Sequence, residues 1–387
     1  MKENIKSFFL LLIICAILGG LLVLGMDVFG LITLPERFSL RRFLDYKSTE
    51  VVSLVSENVI SYPKDYYIED EIETEIEDYQ NTSMVDIINN DKTTESGIVY
   101  GANRYFYYNQ LNTYGKTIYN EMYKNIDDIK TGTYVVDFGS VFNELLNTTG
   151  GEKTLADAFQ LSINALLLDH PEIFYLDVTK MYMYTEINKT VLETTYKVSI
   201  GPEEGSNYLF EGFESKTDVL IAEKEINSLA STLINEFKGT TYDKAKQAHN
   251  YLIDNTKYDE NDLLIHSHNI YGTLINKTAV CDGYAKAYKF LLDCMGIHCV
   301  QVCGMGTNSV GITENHTWNY VMINDRWYAV DTTWDDPIIT GGGFLTDSLR
   351  YTNFLCGSDL FFKNHIEDGY IIPNGCFSYP TLNKTNY

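Results

Sequence analysis

The sequence predicts an α+β protein, and three observations lead there. A cysteine, Cys281, stands immediately ahead of a stretch with helical periodicity. Two runs with period-two alternation follow it, joined at Asn324-Asp325. The upstream half mixes long amphipathic helical patterns with short alternating segments. The chain has 387 residues, 45% of them hydrophobic, enough for one large domain or two ordinary ones.

The N-terminus is read first. Phe8 to Gly25, "FFLLLIICAILGGLLVLG", carries no charge. As a helix it would be roughly 27 Å long, close to a hydrocarbon core. The length of the run, with no small-x-small site behind it, favours an uncleaved transmembrane signal anchor over a cleaved signal peptide. Arg37, Arg41, Arg42 and Lys47 follow the span, so basic residues do not fix its orientation. An anchor leading into a large domain is most simply an export signal, which places the bulk of the chain outside the cytoplasm at the cell surface.

Net charge is −24, from 53 acidic and 29 basic residues. So acidic a surface repels phosphate backbones, and nucleic acid is not an expected partner. Acidity is densest in "DYYIEDEIETEIEDYQ" from Asp65, read as part of a solvated tether. The expected organisation is an anchor at 1–26, an acidic linker at 27–96, an α+β region at 97–238 and a second domain at 239–387.

Within 97–238, Leu111, Ile118, Met122 and Ile126 share a helical face, predicting one helix over Tyr105 to Ile126. "TYVVDF" reads as a strand. "TLADAFQLSINALLLDHPEIFYL" reads as a helix with Leu155, Phe159 and Ala165 inward, stopped at Asp169-His170-Pro171, where His170 is expected to cap. "EIFYLDV" and "YKVSI" read as strands, and Asp218 to Phe237 as a long amphipathic helix.

In the last third a helix is expected to end near Asp254. Tyr284, Tyr288, Leu291 and Met295 then form one stripe of the helix after Cys281, with Gly296 ending it. A thiol at a helix start faces backbone N–H groups and the positive end of the dipole, which favours the reactive thiolate. "CVQVCGM" and "NHTWNYVMI" are strands, and "NDRWYAVDTTW" turns back on the second. With Asn324-Asp325 as the loop, Ile323 faces Arg326, Met322 faces Trp327, and Trp318 faces Asp331. His316 lies two residues beyond Trp318 on the same face, a diagonal neighbour of Asp331 at about 7–8 Å between backbones. A one-residue slip would separate them. A thiol, an imidazole to take its proton and a carboxylate to orient the imidazole make a set for nucleophilic catalysis.

Of the seven cysteines, Cys15 lies in the apolar run, and Cys294, Cys299, Cys303, Cys356 and Cys376 match no common zinc spacing and read mostly as small buried hydrophobes, with a pairing of Cys299 or Cys303 left open. His266 and His268 form a His-x-His pair without an apparent third ligand, read as a polar loop. No metal site and no cofactor are expected.

"AVCDGYAKAYKFLLDCMGI" and "NHTWNYVMINDRWYAVDTTWDD" together resemble the transglutaminase-like superfamily of papain-type thiol folds, in its bacterial branch. The resemblance covers roughly residues 240 to 340. It implies a helix bearing Cys281 packed on an antiparallel sheet bearing His316 and Asp331, with Trp318 and Trp334 in the cleft framework. It implies a cysteine peptidase, amidase or acyltransferase chemistry on protein or cell-wall peptide. The superfamily also includes inactive scaffolds, so a binding or structural module at the cell surface is the alternative. The oxyanion hole implied by this chemistry would use the Cys281 N–H, with Tyr258 as a candidate second donor.

Overall fold

In the computed structural model the described residues are 46–53, 104–190, 192–260, 262–309, 311–336, 346–367, 370–372 and 375–387. The predicted anchor at Phe8–Gly25 and most of the acidic segment lie outside them. Among the described residues no helix is long and apolar enough to cross a membrane.

The chain divides into two units. The first comprises residues 1–52, 137–152 and 182–200. It holds a four-stranded sheet built from β1 (Tyr46–Ser53), β2 (Val136–Gly139), β3 (Tyr182–Lys189) and β4 (Thr194–Gly201), in the order β1-β3-β4-β2. β1 falls within the stretch expected to be a tether. Along β3, Met183, Thr185 and Ile187 are buried while Tyr182, Tyr184 and Glu186 are half-exposed, the period-two signature of a strand with one covered face.

The second unit comprises residues 53–136, 153–181 and 201–387. Its long helices are α1 (Thr113–Lys124), α2 (Gly151–Asp169), α3 (Lys216–Glu236), α4 (Thr241–Asn255) and α5 (Cys281–Cys294). α1 is shorter than its apolar pattern predicts. The Asn112 side chain accepts from the Gly115 N–H and starts the helix there, leaving Leu111 extended ahead of it. Ile126 begins a separate turn. Leu155, Phe159 and Ala165 of α2 are buried as expected. The predicted strand "EIFYLDV" does not form. Ile173, Phe174, Tyr175 and Leu176 are buried consecutively rather than alternately, and the segment makes turns with a single bridge, Leu176 to Leu209. The His170 side chain does not cap α2. It is fully buried, with Nδ1 receiving from Arg104 at 2.8 Å and its ring stacked on Tyr123. The polar end of α2 is used instead by Asp169, whose carboxylate accepts the N–H groups of Tyr107 and Tyr108.

β5 (Lys257–Tyr258) and β6 (Thr278–Ala279) form a short parallel pair. The main sheet of this unit consists of β7 (Cys299–Thr307), β8 (Thr313–Ile323), β9 (Arg326–Val330) and β10 (His365–Glu367), ordered β10-β7-β8-β9 and antiparallel throughout. Two further short strands, β11 (Tyr370–Ile372) and β12 (Gly375–Cys376), pair with each other. The two faces of the main sheet have different cover. Gln301 reaches Asp282 and Asn319 reaches the Ala285 carbonyl, so that face carries α5. On the other face Val300, Val302, Trp318 and Tyr320 cluster with Cys356, Phe361 and Leu382 of the C-terminal segment.

α5 buries Tyr284, Tyr288 and Leu291 completely, with Met295 at its C-cap and Gly296 beyond it at φ +69°. The left-handed conformation at Gly296 is the ordinary end of a helix that stops at glycine. Its start is set by a close approach. A Cβ on Gly283 would come within 2.2 Å of the Ser267 carbonyl oxygen, which already accepts the Val280 N–H at 3.0 Å. Glycine therefore lets the first turn of α5, with Cys281 on it, lie flush on that carbonyl. Gly283→Ala is expected to destabilise the chain by about 1–3 kcal/mol, the usual cost of overpacking. An unchanged urea midpoint relative to the unsubstituted chain would refute this account of the helix start.

Candidate active site

The β8–β9 hairpin turns at Asn324 and Asp325, which both adopt positive φ, 51° and 61°. Both central residues of a type I′ turn need that conformation, and Asn and Asp tolerate it best after glycine. The register then follows the expected one, with Ile323 opposite Arg326, Met322 opposite Trp327 and Asn319 opposite Val330. Extended by one residue, it brings Asp331 beside Trp318 and onto the face of His316. The diagonal is closed by a hydrogen bond, His316 Nε2 to Asp331 Oδ2 at 2.7 Å.

Asp331 is completely buried, and all its acceptor capacity is used. Oδ1 accepts the backbone N–H groups of Thr333 (3.0 Å) and Trp334 (3.1 Å). Oδ2 accepts from His316 and from a second histidine, His365, at 3.2 Å. Burial alone would raise this carboxyl, but the His316 charge and the two imidazole hydrogen bonds hold it well below the usual carboxylate range. His316 shows the converse balance. Burial would lower it, yet the Asp331 charge and hydrogen bond, with a further hydrogen bond from the Cys281 side chain, raise it above an ordinary imidazole. The ring is also packed. Trp334 stacks on it at 4.7 Å and 20°, and Gly306 beneath leaves room, since a Cβ there would meet Trp334 at 2.8 Å and the His316 Cβ at 3.2 Å.

Cys281 is the first residue of α5, and its N-cap, Val280, supplies no side-chain cap. The first-turn N–H groups are thus left to face the thiol. Because Nε2 of His316 is committed to Asp331, Nδ1 is the ring nitrogen left for Cys281. Cys294, Cys299, Cys303 and Cys356 are also free thiols, so no disulfide forms at Cys299 or Cys303. Burial pushes Cys294 and Cys299 far up and Cys303 to about 12, keeping them protonated.

Tyr258 reaches this place through the β5–β6 pair, where it lies opposite Ala279, two residues before Cys281. It is 37% exposed, and desolvation with the nearby Cys281 holds its phenol at about 12, an O–H donor. Trp318 is buried beside His316, with ring centroids 6.0 Å apart. The His-x-His pair does not join the site. His266 packs against Phe213 and Tyr271, while His268 bonds Asp262 at 2.9 Å.

His365 escaped the sequence reading. It lies on the three-residue edge strand β10, opposite Gly306, 34 positions beyond Asp331. So short a strand has no readable period, and only the pairing with β7 brings the residue in.

Residues 229–332 match the family model of the Transglutaminase-like superfamily, and the matched segment contains Cys281, His316 and Asp331. The chain is 23% identical over 171 residues to kyphoscoliosis peptidase of Mus musculus, covering 41% of this chain and 26% of that protein. It is 30% identical over 99 residues to kyphoscoliosis peptidase of Homo sapiens, covering 23% and 14%. The chain thus spans about a quarter or less of the length of these relatives. A solved structure of a TGase is similar at 16% identity and a TM-score of 0.28, covering 52% of this chain and 55% of that one. Residues 229–332 of this chain form a transglutaminase-like superfamily domain.

Proposed function

We propose that this chain is a thiol enzyme that cleaves or exchanges amide bonds in protein or peptide through Cys281, His316 and Asp331. The observation that carries the reading is a single imidazole, buried against an ionised carboxylate at 2.7 Å and hydrogen-bonded to a thiol at a helix start. Each group has a defined task. His316 Nδ1 takes the Cys281 proton, and the sulfur forms a bond to the substrate carbonyl carbon. The carbonyl electron pair moves to oxygen, where the Cys281 N–H and the Tyr258 O–H are the donors available to receive it. As the tetrahedral species collapses, the C–N bond breaks and His316 returns the proton to the leaving amine. A thioester remains, and water or an amine releases the acyl group by the same steps in reverse. Asp331 fixes the ring tautomer and balances the imidazolium charge throughout.

The pH dependence follows from the His316 shift. A raised folded-state value keeps the imidazolium present through neutral pH and loses it only on the alkaline side. The thiolate–imidazolium pair is therefore expected to exist well below about pH 8, where an ordinary thiol is protonated. Iodoacetamide labelling of Cys281 should persist there, and His316→Ala should slow it by about 100-fold or more, within the range of a lost general base. If Cys281 labels only as an ordinary thiol and His316→Ala changes nothing, the domain is a non-catalytic binding module.

The net charge of −24 supports a preference for cationic substrates such as lysine-bearing amines and basic peptides. With such a substrate kcat/KM should fall as salt is raised, while a neutral analogue stays level. Identical salt responses would remove this preference.

A membrane-anchored, extracytoplasmic placement is part of the same proposal and is supported by the Phe8–Gly25 run alone. The full chain should sediment with membranes and be digested by protease added to intact cells. Recovery of the full chain in the soluble fraction would end that placement.

A further inference from the structure

Two imidazoles share one oxygen at the base of the site. Asp331 Oδ2 lies 2.7 Å from His316 Nε2 and 3.2 Å from His365 Nε2. His365 is fully buried. Its ring stacks on Phe361 at 3.8 Å and 10°, and lies edge-on to Trp318 at 5.0 Å. Its Nδ1 meets Asn364 Oδ1 at 3.0 Å. Nε2 must carry a proton, because the atom it meets is an acceptor on a carboxylate held ionised.

The three donor atoms lie within 4.8 Å of one another, which invites a metal reading. Two ligands of one tetrahedral zinc, each bonded at about 2.0–2.1 Å, stand about 3.3 Å apart. The 2.7 Å separation of His316 from Asp331 is that of a charge-assisted hydrogen bond. Protons, rather than a cation, account for the cluster.

The second donor is not required to hold the carboxylate in place. Oδ1 is already pinned by the Thr333 and Trp334 amides. What His365 changes is the charge available on Oδ2. A second N–H on the same oxygen draws density from it and weakens its pull on the first. We propose that His365 is a positioning residue that acts through Asp331, moderating the basicity of His316 so that the imidazolium can release its proton to the leaving amine. This inference rests on the thiol–imidazole reading above.

An imidazolium bound too tightly by Asp331 would be a good partner for the thiolate but a poor acid. Removing the His365 donor should therefore strengthen the ion pair. Among the described residues, other ionisable groups with a charge interaction at Asp331 or His316 are Cys281, Tyr258, Asp335 and Cys356. None of them is altered in the variants below.

The test is the pH profile of Cys281 alkylation by iodoacetamide in the full chain. It is measured for His365→Phe and His365→Met, which lack a donor, and for His365→Gln, which restores one. Thermal unfolding confirms that each variant is folded, and two apolar replacements are used so that the loss of either leaves the other. The alkaline step of the profile, where the imidazolium loses its proton, is expected to move up by about half a pH unit or more in the donor-less variants, and to return toward the unsubstituted position with glutamine. An unmoved step, a shift to lower pH, or an equal shift with glutamine would overturn the inference, the last by showing that packing alone is responsible. His316→Ala is run alongside. If it leaves alkylation unchanged, the thiol–imidazole reading itself has failed. If it slows alkylation while the His365 variants behave as wild type, only the role of His365 falls.

Discussion

A carboxylate removed from water is among the most costly groups a protein can bury, and it persists only where every lone pair has a donor. Asp331 meets that condition with four hydrogen bonds, two from the chain that follows it and two from imidazoles. Much of the neighbouring architecture serves this one group. The Asp331 N–H bonds the Asn353 carbonyl, the Asn353 N–H bonds Asp335, and Asp335 bonds His249 of α4. The turn after β9 is thereby tied to a helix and to the C-terminal segment. Trp334, positioned by the same turn, becomes the plate on which His316 stacks.

The thiol is positioned by an independent set of contacts. Gly283 admits the Ser267 carbonyl, Asn319 and Gln301 hold the first turns of α5 to the sheet, and Tyr284 bonds Asp336 at 2.6 Å. Asn319 alternates with Trp318 along β8, one facing the helix and the other the opposite core. A single strand therefore fixes both the histidine and the helix that carries the cysteine. With the sheet rigid, the distance between nucleophile and base is set by backbone geometry more than by flexible side chains.

How much of this was legible depended on the reach of the determining interaction. The β8–β9 register could be worked out because a two-residue turn and strict alternation leave little freedom. The stripe of α5 could be read because Tyr284, Tyr288 and Leu291 are spaced for one face. His365 could not, since its strand is three residues long and its partner lies on the far edge of β7. His170 misled because a polar residue before proline looks like a helix end. Its burial is set by Arg104 and Tyr123, which lie far off in sequence. The segment Ile173–Leu176 misled because consecutive burial in a turn and the apolar run of a strand look alike in composition.

The hairpin joining His316 to Asp331 has one further consequence, for which changes in chain length the domain can accept. Between those residues, parity rather than side-chain identity is what the site depends on. Inserting or deleting one residue in the paired part of β8 or β9 would turn one of the two onto the opposite face, however well the new residue packed. The ten paired positions, 319–323 and 326–330, are thus closed to single-residue length variation. Variation in this domain should accumulate by substitution inside that window and by insertion outside it.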